Sequence, residues 1–365
     1  MPQRKIVVNI EIITTPNDEL KESGFGSLKS CNSVLKSITK MGHNIRLNIC
    51  TTKSDLNAIV KRKPDLVILA VKYLSFENEN DIWLSDYFAK HMINYTGSSM
   101  EVLKFDSDKV LAKKHLQNKG IRTANHFTAI PGEYKSEKDL PILFPLFLKP
   151  IDAANGNGID DLSYVRNFAE FESKVLSLHD SFKLPILVEE YLDGKEFTVS
   201  VIQTRDGELI VSPIEIIPLL STKGLRILGQ QAKKDDSEVL QKIENSDMMT
   251  KLIQLATDAY NGLGIRDFGR IDIKTNQKGE CFFMEANLVP GMTQGSSYFP
   301  KACEIENELS YDKVIEMMLS EGLNRIPSIV ITHDITPCNN TDILQSAYPI
   351  ANSINLNPNY AMGIE

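Results

Sequence analysis

The segment GRIDIKTNQKGECFFMEANLVPGM (residues 269–292) sets Asp272, Glu285 and Asn287 among residues that otherwise read as two apolar strands. Ile271, Ile273, Phe282, Phe283 and Met284 supply short β-type runs, and Asn276-Gln277-Lys278-Gly279 is a turn signal. A hairpin centred on Lys278-Gly279 sets Asp272 opposite Glu285 and Arg270 opposite Asn287. Period-2 alternation keeps Arg270 with Asp272, and Glu285 with Asn287, on one face of each strand. Opposed side chains have Cβ atoms about 5 Å apart, where like charges repel. A hard cation reverses the sign, because Mg²⁺ takes oxygen ligands and leaves positions for water and phosphate oxygens. The alternative is a hairpin edge whose carboxylates face water. The sequel NLVPGMTQGSS (287–297) favours the cation, since Gly, Ser and Thr leave backbone amides accessible beside it.

Three lysines belong to the same argument. Lys149 ends the apolar run FPLFLKP (144–150), and Asn155-Gly156-Asn157-Gly158 soon after it forms a turn whose amides can approach a polyphosphate. Lys109 lies on a helix. Lys233 lies in GQQAKKDDSE (229–238), a long polar loop of the kind that covers active sites. Taken singly, these are an ordinary surface turn and solvated lysines. Together with opposed acids they describe a nucleoside-triphosphate site, with cations on the phosphates and metal between carboxylates and phosphate oxygens. VEEYLDGKEFTV (188–199) adds Glu189, Leu192 and Glu196 around a kinked connector at Gly194. Leu192 can offer backbone groups and apolar contact to a purine, and Glu196 can accept from ribose hydroxyls; the alternative is a plain turn between core strands.

The elements that must position these residues are legible. Residues 6–13, IRLNIC (45–50) and the wholly apolar LVILAV (66–71) read as strands. Between the first two, Leu28, Cys31, Leu35 and Ile38 recur at helical spacing up to Gly42. This is an open, doubly wound parallel α/β architecture. Residues 105–127 read as a helix, a stop at Gly120 and a strand. Residues 184–204 read as two strands around a connector. Met249, Leu252, Ile253, Ala256 and Leu263 mark a helix closed by Gly264. Beyond about residue 325 the chain turns Asn- and Pro-rich.

Composition bounds the function. The 365 residues suffice for two or three domains, and 42% hydrophobic with 24% charged residues is ordinary for a soluble protein. A net charge of −8 disfavours nonspecific nucleic-acid or anionic-membrane binding. MPQRKIVVNIEII reads as a strand without the apolar core of a signal peptide, and no stretch approaches a membrane span. Five scattered cysteines, never spaced CxxC, fit a reducing cytoplasm, and six histidines without HxxH spacing argue against zinc.

The order of LKP, VEEYLDGKEFTV, QQAKK and GRIDI…FFMEANLVPGMTQGS resembles the ATP-grasp superfamily, in its D-alanine–D-alanine ligase-like branch, over roughly residues 1–325. The resemblance implies an ATP-grasp fold behind the doubly wound N-terminal domain (1–104), with central (105–184) and C-terminal (185–325) subdomains and a tail (326–365). It implies ATP and Mg²⁺ (or Mn²⁺) as cofactors, with Asp272, Glu285 and Asn287 holding the metal. Lys109, Lys149 and Lys233 would grip phosphates, beside Asn155 and Gly156. Glu189 and Leu192 would meet the adenine, and Glu196 the ribose. Arg270 would neutralise charge on the acyl phosphate, the Gly291 amide would help form the oxyanion site, and Ser296 would bind the acceptor's carboxylate. The implied reaction turns a carboxylate into an acyl phosphate, which an amine attacks to form a peptide or amide bond. Small-molecule amino acids or peptides are the implied substrates, a homodimer the implied assembly.

The sequence also departs from that branch. Glu22 stands near the position of the branch's N-terminal substrate glutamate, without the paired glycines. Asn155 replaces an orienting serine, Lys234 follows Ala-Lys where a tyrosine is usual, and VKYLSFENENDIW (71–83) replaces a His-Gly…Glu-Asp-Gly segment. These departures concentrate on the first substrate, so a substrate other than, or besides, D-alanine is expected. A true D-alanine–D-alanine ligase and a non-catalytic ATP-binding protein are the alternatives.

Overall fold

The computed structural model describes residues 7–16, 24–25, 27–75, 80–152, 156–221, 224–229 and 237–326. Glu22, Asn155, Lys233, Lys234 and the Asn- and Pro-rich tail lie outside these residues. The first sheet is parallel, with β1 (Asn9–Thr14) between β2 (Asn44–Ile49) and β3 (Leu66–Leu69). Helices α1 (Leu28–Lys40) and α2 (Lys53–Arg62) make the crossovers. All four residues of β3 are buried, as a strand covered on both faces requires. A short antiparallel pair follows, β4 (Tyr73–Leu74) with β5 (Ile82–Trp83), and then α3 (Leu84–Lys90).

The helix expected from residue 105 is two helices. α4 (Met100–Ser107) stops at Asp108, whose φ of −127° is not helical. Asp108 then caps α5 (Lys109–Asn118) by accepting from the Leu111 amide at 2.9 Å, a role that short acidic side chains perform well. The break puts Lys109 in the first turn of α5 with its side chain buried.

Two antiparallel sheets follow. β6 (His126–Ala129), β7 (Leu146–Pro150), β8 (Tyr164–Val165) and β9 (Ile186–Glu190) are ordered β6-β9-β7-β8. α6 (Phe168–Phe182) lays Phe171, Val175 and Leu178 on Leu146, Leu148 and Val188 of this sheet. The second sheet contains β10 (Glu196–Gln203), β11 (Leu209–Ile217), β12 (Val239–Gln241), β13 (Phe268–Thr275) and β14 (Cys281–Asn287), ordered β12-β11-β10-β13-β14. α7 (Ser246–Leu263) packs Leu252, Leu255, Ala256, Ala259 and Leu263 into the same core as Val199, Ile271 and Phe283. Ile253, expected on this inner face, is 38% exposed, because the buried stripe runs one residue further round the helix. α8 (Tyr298–Asn307) and α9 (Tyr311–Asn324) close the described chain. Among the described residues, no helix is long and apolar enough to cross a membrane.

The β13–β14 hairpin pairs Arg270 with Asn287 and Asp272 with Glu285, as expected. Below that point the register slips by one, to Ile273 with Phe283 and Thr275 with Cys281. Two deviations cancel: the turn closes between Asn276 and Glu280, one residue tighter than expected, and Met284 is an extra residue that restores the pairing above it.

The connector between β9 and β10 is fastened to this hairpin. The Gly194 amide donates to the Thr275 carbonyl and the Lys195 amide to Thr275 Oγ1, both at 2.9 Å. A Cβ on Gly194 would lie 2.5 Å from the Thr275 carbonyl oxygen and 2.7 Å from that of Asn276. Backbone at that distance cannot yield locally, so Gly194→Ala is expected to destabilise the fold by about 1–3 kcal/mol in urea unfolding; unchanged stability would show that the connector moves freely.

Candidate active site

Asp272 stands at the centre of the hairpin's inner rung. Its Oδ1 accepts from Thr198 Oγ1 at 2.7 Å and Arg270 Nε at 3.0 Å. Its Oδ2 accepts from Arg270 Nη2 at 3.0 Å and Asn287 Nδ2 at 3.1 Å. The Arg270 fork is therefore bidentate, which fixes its plane as well as its charge. Burial works against the guanidinium, but Asp272 and Glu285 outweigh it and its pKa is raised. The same guanidinium lies 5.5 Å over the Tyr298 ring, and the Tyr298 hydroxyl donates to Glu238. Across the rung, Glu285 Oε2 is 3.5 Å from Lys109 Nζ.

These residues fit a hard divalent cation. Asp272 and Glu285 face each other, and by donating its nitrogen to Asp272, Asn287 is left with its amide oxygen as the available donor atom. Among the described residues, no group of three or more His, Cys, Asp or Glu is disposed to hold a metal ion. The oxygen set on these two rungs has two carboxylates and an amide, the kind that leaves Mg²⁺ to complete its shell with water and phosphate.

A second charged group lies deeper in the same cavity. Glu189 is 1% exposed, with Lys113 Nζ 2.7 Å from Oε1 and Lys149 Nζ 2.8 Å from Oε2. Lys113 is wholly buried; its ammonium also donates to the Phe283 carbonyl at 3.2 Å and lies over the Phe283 ring. Burial would raise the Glu189 pKa, but the two ammoniums prevail and hold it at about 2. The lysines diverge. Burial depresses the Lys113 pKa, whereas in Lys149 the attraction of Glu189 and Glu285 overcomes burial and raises it. The cluster keeps one net positive charge in a dry place.

One cavity joins these features. Its polar lining includes Lys109, Lys149, Glu189, Glu196, Asp272 and Glu285, and its apolar lining includes Phe147, Pro150, Ile159, Leu192, Leu228 and Met284. Gly156, at φ +70°, lines it as well. Glu196 Oε2 is held 3.3 Å from Lys274 Nζ on the neighbouring strand. Ten of the anticipated residues are thus within the cavity or the rung above it: Lys109, Lys149, Gly156, Glu189, Leu192, Glu196, Arg270, Asp272, Glu285 and Asn287. Asn287 flanks Arg270 on that rung.

Gly291 and Ser296 belong to the segment beyond β14. A Cβ on Gly291 would meet Ser297 Oγ at 2.8 Å, and Ser297 Oγ in turn accepts from the Thr293 amide at 2.9 Å. Ser296 is half-buried and its amide donates to the Thr293 carbonyl at 3.3 Å. Ser297, rather than Ser296, is the serine packed against Gly291, and sequence reasoning overlooked it. Lys113 was also overlooked, although its place four residues after Lys109 on one helix face was a usable signal. Thr198 could have been found from the alternation of EFTVS; Tyr298 gave no signal.

Glu189→Gln leaves two buried ammoniums without a counter-ion, so at neutral pH it is expected to lower stability by about 3–5 kcal/mol. Lys113→Met leaves a one-to-one pair and is expected to lower it less. Because the folded-state pKa of Glu189 is depressed, its contribution is complete above its ordinary value of 4.5 and is lost as pH falls towards about 2. Urea unfolding should therefore show the gap between the original chain and Glu189→Gln closing over that acid range, and a constant gap would refute the assignment.

Comparison with known proteins bears on the family and the fold. A family model described as D-ala D-ala ligase C-terminus matches residues 116–320. A D-alanine–D-alanine ligase of Aquifex aeolicus is 26% identical over 298 residues, covering 80% of this chain and 94% of the relative. That of a Marinomonas species is 28% identical over 307 residues, covering 82% and 92%. The crystal structure of D-alanine–D-alanine ligase from Bacillus anthracis complexed with ATP matches with a TM-score of 0.67 at 23% identity, covering 87% of this chain and 98% of that one. The VanG D-Ala:D-Ser ligase of Enterococcus faecalis matches at 0.65 and 20%, covering 87% and 100%. The family match spans more than half of the chain, from α5 into α9 and across both antiparallel sheets, and so the chain belongs to the D-ala D-ala ligase C-terminus family and has the ATP-grasp fold of those ligases.

Proposed function

We propose that the protein is an ADP-forming carboxylate–amine ligase that joins amino acids or small peptides through an acyl phosphate. The observation that carries this reading is the shared cavity: Lys149, Glu189 and Glu196 line the same space as the Asp272–Glu285 rung. A donor carboxylate oxygen attacks the γ-phosphorus of ATP and ADP departs. The amine nitrogen of the acceptor then attacks the acyl carbon, loses a proton, and inorganic phosphate leaves as the peptide or amide bond forms. A carboxylate is a poor electrophile, so the phosphoryl group is needed as a leaving group. Mg²⁺, held by Asp272, Glu285 and Asn287, would supply charge neutralisation on the phosphate oxygens.

The chain's own residues would bind and orient. Lys109, Lys149 and Lys233 would hold phosphates, with Asn155 and Gly156 contributing to the same task. Leu192 and Glu189 flank the base, and Glu196 takes the ribose. Arg270, kept in plane by Asp272, faces the charge that accumulates on the acyl phosphate. The Gly291 amide serves the oxyanion, and Ser296 the acceptor's carboxylate. The domain boundaries near 104, 184 and 325 and a cytoplasmic setting belong to the same reading.

The substrates divide two versions of it. A D-alanine–D-alanine ligase is supported by relatives matched over more than nine-tenths of their length. A different donor is supported by Glu22, Asn155, Lys234 and the segment VKYLSFENENDIW, which depart where the first substrate binds. The D-Ala:D-Ser ligase among the structural neighbours illustrates the same fold with a substrate pair other than two D-alanines. Release of ADP from Mg·ATP, measured over a panel of D- and L-amino acids and dipeptides with products identified by mass, tests both. Turnover with a partner other than D-alanine supports the broader reading, and strict dependence on D-alanine the narrower. Silence across the panel with intact ATP binding would reduce the protein to a nucleotide binder. Asp272→Asn should keep its fold by circular dichroism and lose turnover by about 100-fold or more; an unchanged rate would remove the metal assignment.

A further inference from the structure

The segment that replaces the expected motif after the third strand carries Lys72, a lysine only 6% exposed. Its Nζ donates to Asp106 Oδ1 on α4 at 2.9 Å. Asp106 Oδ2 accepts from the Leu288 amide at 2.6 Å. Leu288 is the first residue past β14, and its neighbour Asn287 is the last on that strand. Three separated stretches of chain therefore meet through one carboxylate: the end of the parallel sheet, α4, and the backbone that runs from the hairpin towards Gly291. We propose that Asp106 is a positioning residue for the acceptor side of the site, held by Lys72 and setting the path of the chain from Asn287 to Gly291. The proposal rests on the ligase reading for its catalytic consequence.

The physical case is one of directed anchoring. The Leu288 amide leaves the sheet at a point where a donor needs a new acceptor, and a carboxylate supplies a charge-assisted one. Lys72 holds the other oxygen, so Asp106 is fixed at both ends. Further along, Val289 packs on Gly24, where a Cβ would meet its Cγ1 and its carbonyl oxygen at 2.9 Å. The Met292 carbonyl accepts from Tyr311 at 2.7 Å, and the Thr293 and Ser30 hydroxyls are 2.6 Å apart. Those contacts hold the far part of the segment. At Leu288, between Asn287 and Gly291, the side chain is buried in the core beside Gly269, and Asp106 takes the backbone amide, fixing the direction in which the chain leaves the strand.

A single charge removal would confound the test, because it strands a buried partner. Two double variants of the full chain avoid this. Lys72→Met/Asp106→Asn removes both charges and keeps an acceptor for the Leu288 amide; Lys72→Met/Asp106→Ala removes the acceptor too. With the amino-acid pair found by the ADP-release panel, the alanine variant should lose kcat by on the order of 100-fold, with a raised KM for the acceptor. The asparagine variant should retain at least about tenfold more activity than the alanine variant. Mg·ADP affinity by calorimetry should be equal in the two. In hydrogen exchange, backbone 286–293 should open faster in the alanine variant while 268–275 stays protected. Equal kcat and equal exchange in the two double variants would overturn the proposal, as would parallel loss of nucleotide affinity and global stability. Absence of turnover in the unaltered chain would count against the ligase reading, and the exchange comparison would then decide the positioning claim by itself.

Discussion

Two carboxylates on facing strands of a hairpin repel, and everything around Asp272 and Glu285 is arranged to make that tolerable. Arg270 takes both oxygens of Asp272, and Lys109 approaches Glu285 from the first turn of α5. The repulsion is thus balanced by two cations that arrive from different elements. Each acid thus has its own cationic partner. A divalent ion introduced there would add positive charge to a balanced set, and the natural complement is an anion with many oxygens. That complement is what a polyphosphate provides.

The Glu189 cluster solves a related problem in the opposite sense. A single buried carboxylate serves two lysines, and the surplus charge is directed at the cavity through Lys149. Lys113 contributes nothing visible from solvent. Its role is to secure Glu189 and, through the Phe283 carbonyl, to tie α5 to the hairpin. Charge in this protein therefore also fastens elements together: α5 to β9 and β14, and, through Lys72 and Asp106, the parallel sheet to the segment beyond the hairpin. Such ties are costly to half-remove, since the remaining member is buried alone.

Much of this was readable in the residues. The parallel sheet, the connector at Gly194 and the helix ending at Gly264 follow from apolar periodicity and glycine placement, which are local signals. The break at Asp108 was missed because a capping aspartate looks like any other polar residue within a helical stretch, and only the tertiary position of α5 distinguishes it. Lys113 was missed because burial of a lysine is decided by what packs over it, and the counter-ion lies 76 residues away in the chain (189 minus 113). The facing of Asp272 and Glu285 was anticipated correctly through two errors that cancelled: the turn is one residue tighter than expected and Met284 is one residue extra. That Ser297 packs against Gly291 depends on where α8 begins, and boundaries are the least local feature of a helix.

The extra residue deserves its consequence. On β14, Cys281 and Phe283 point into the core, and so does Ala286, an even-numbered position after two odd ones. On β13 the odd positions Gly269, Ile271, Ile273 and Thr275 are buried throughout, with no such change. An uninterrupted strand would have turned Glu285 and Asn287 inward with Phe283 and left Ala286 facing the cavity. Met284 acts as a parity switch, inverting which half of the strand's residues belongs to the interior. The chemistry of the cavity is thereby written in a reading frame: because Met284 stands outside the pairing, Phe283 and Ala286 both face the core while Glu285 and Asn287 face the cavity, and a ladder that took 284 in as an ordinary paired residue would send those two polar groups into hydrocarbon.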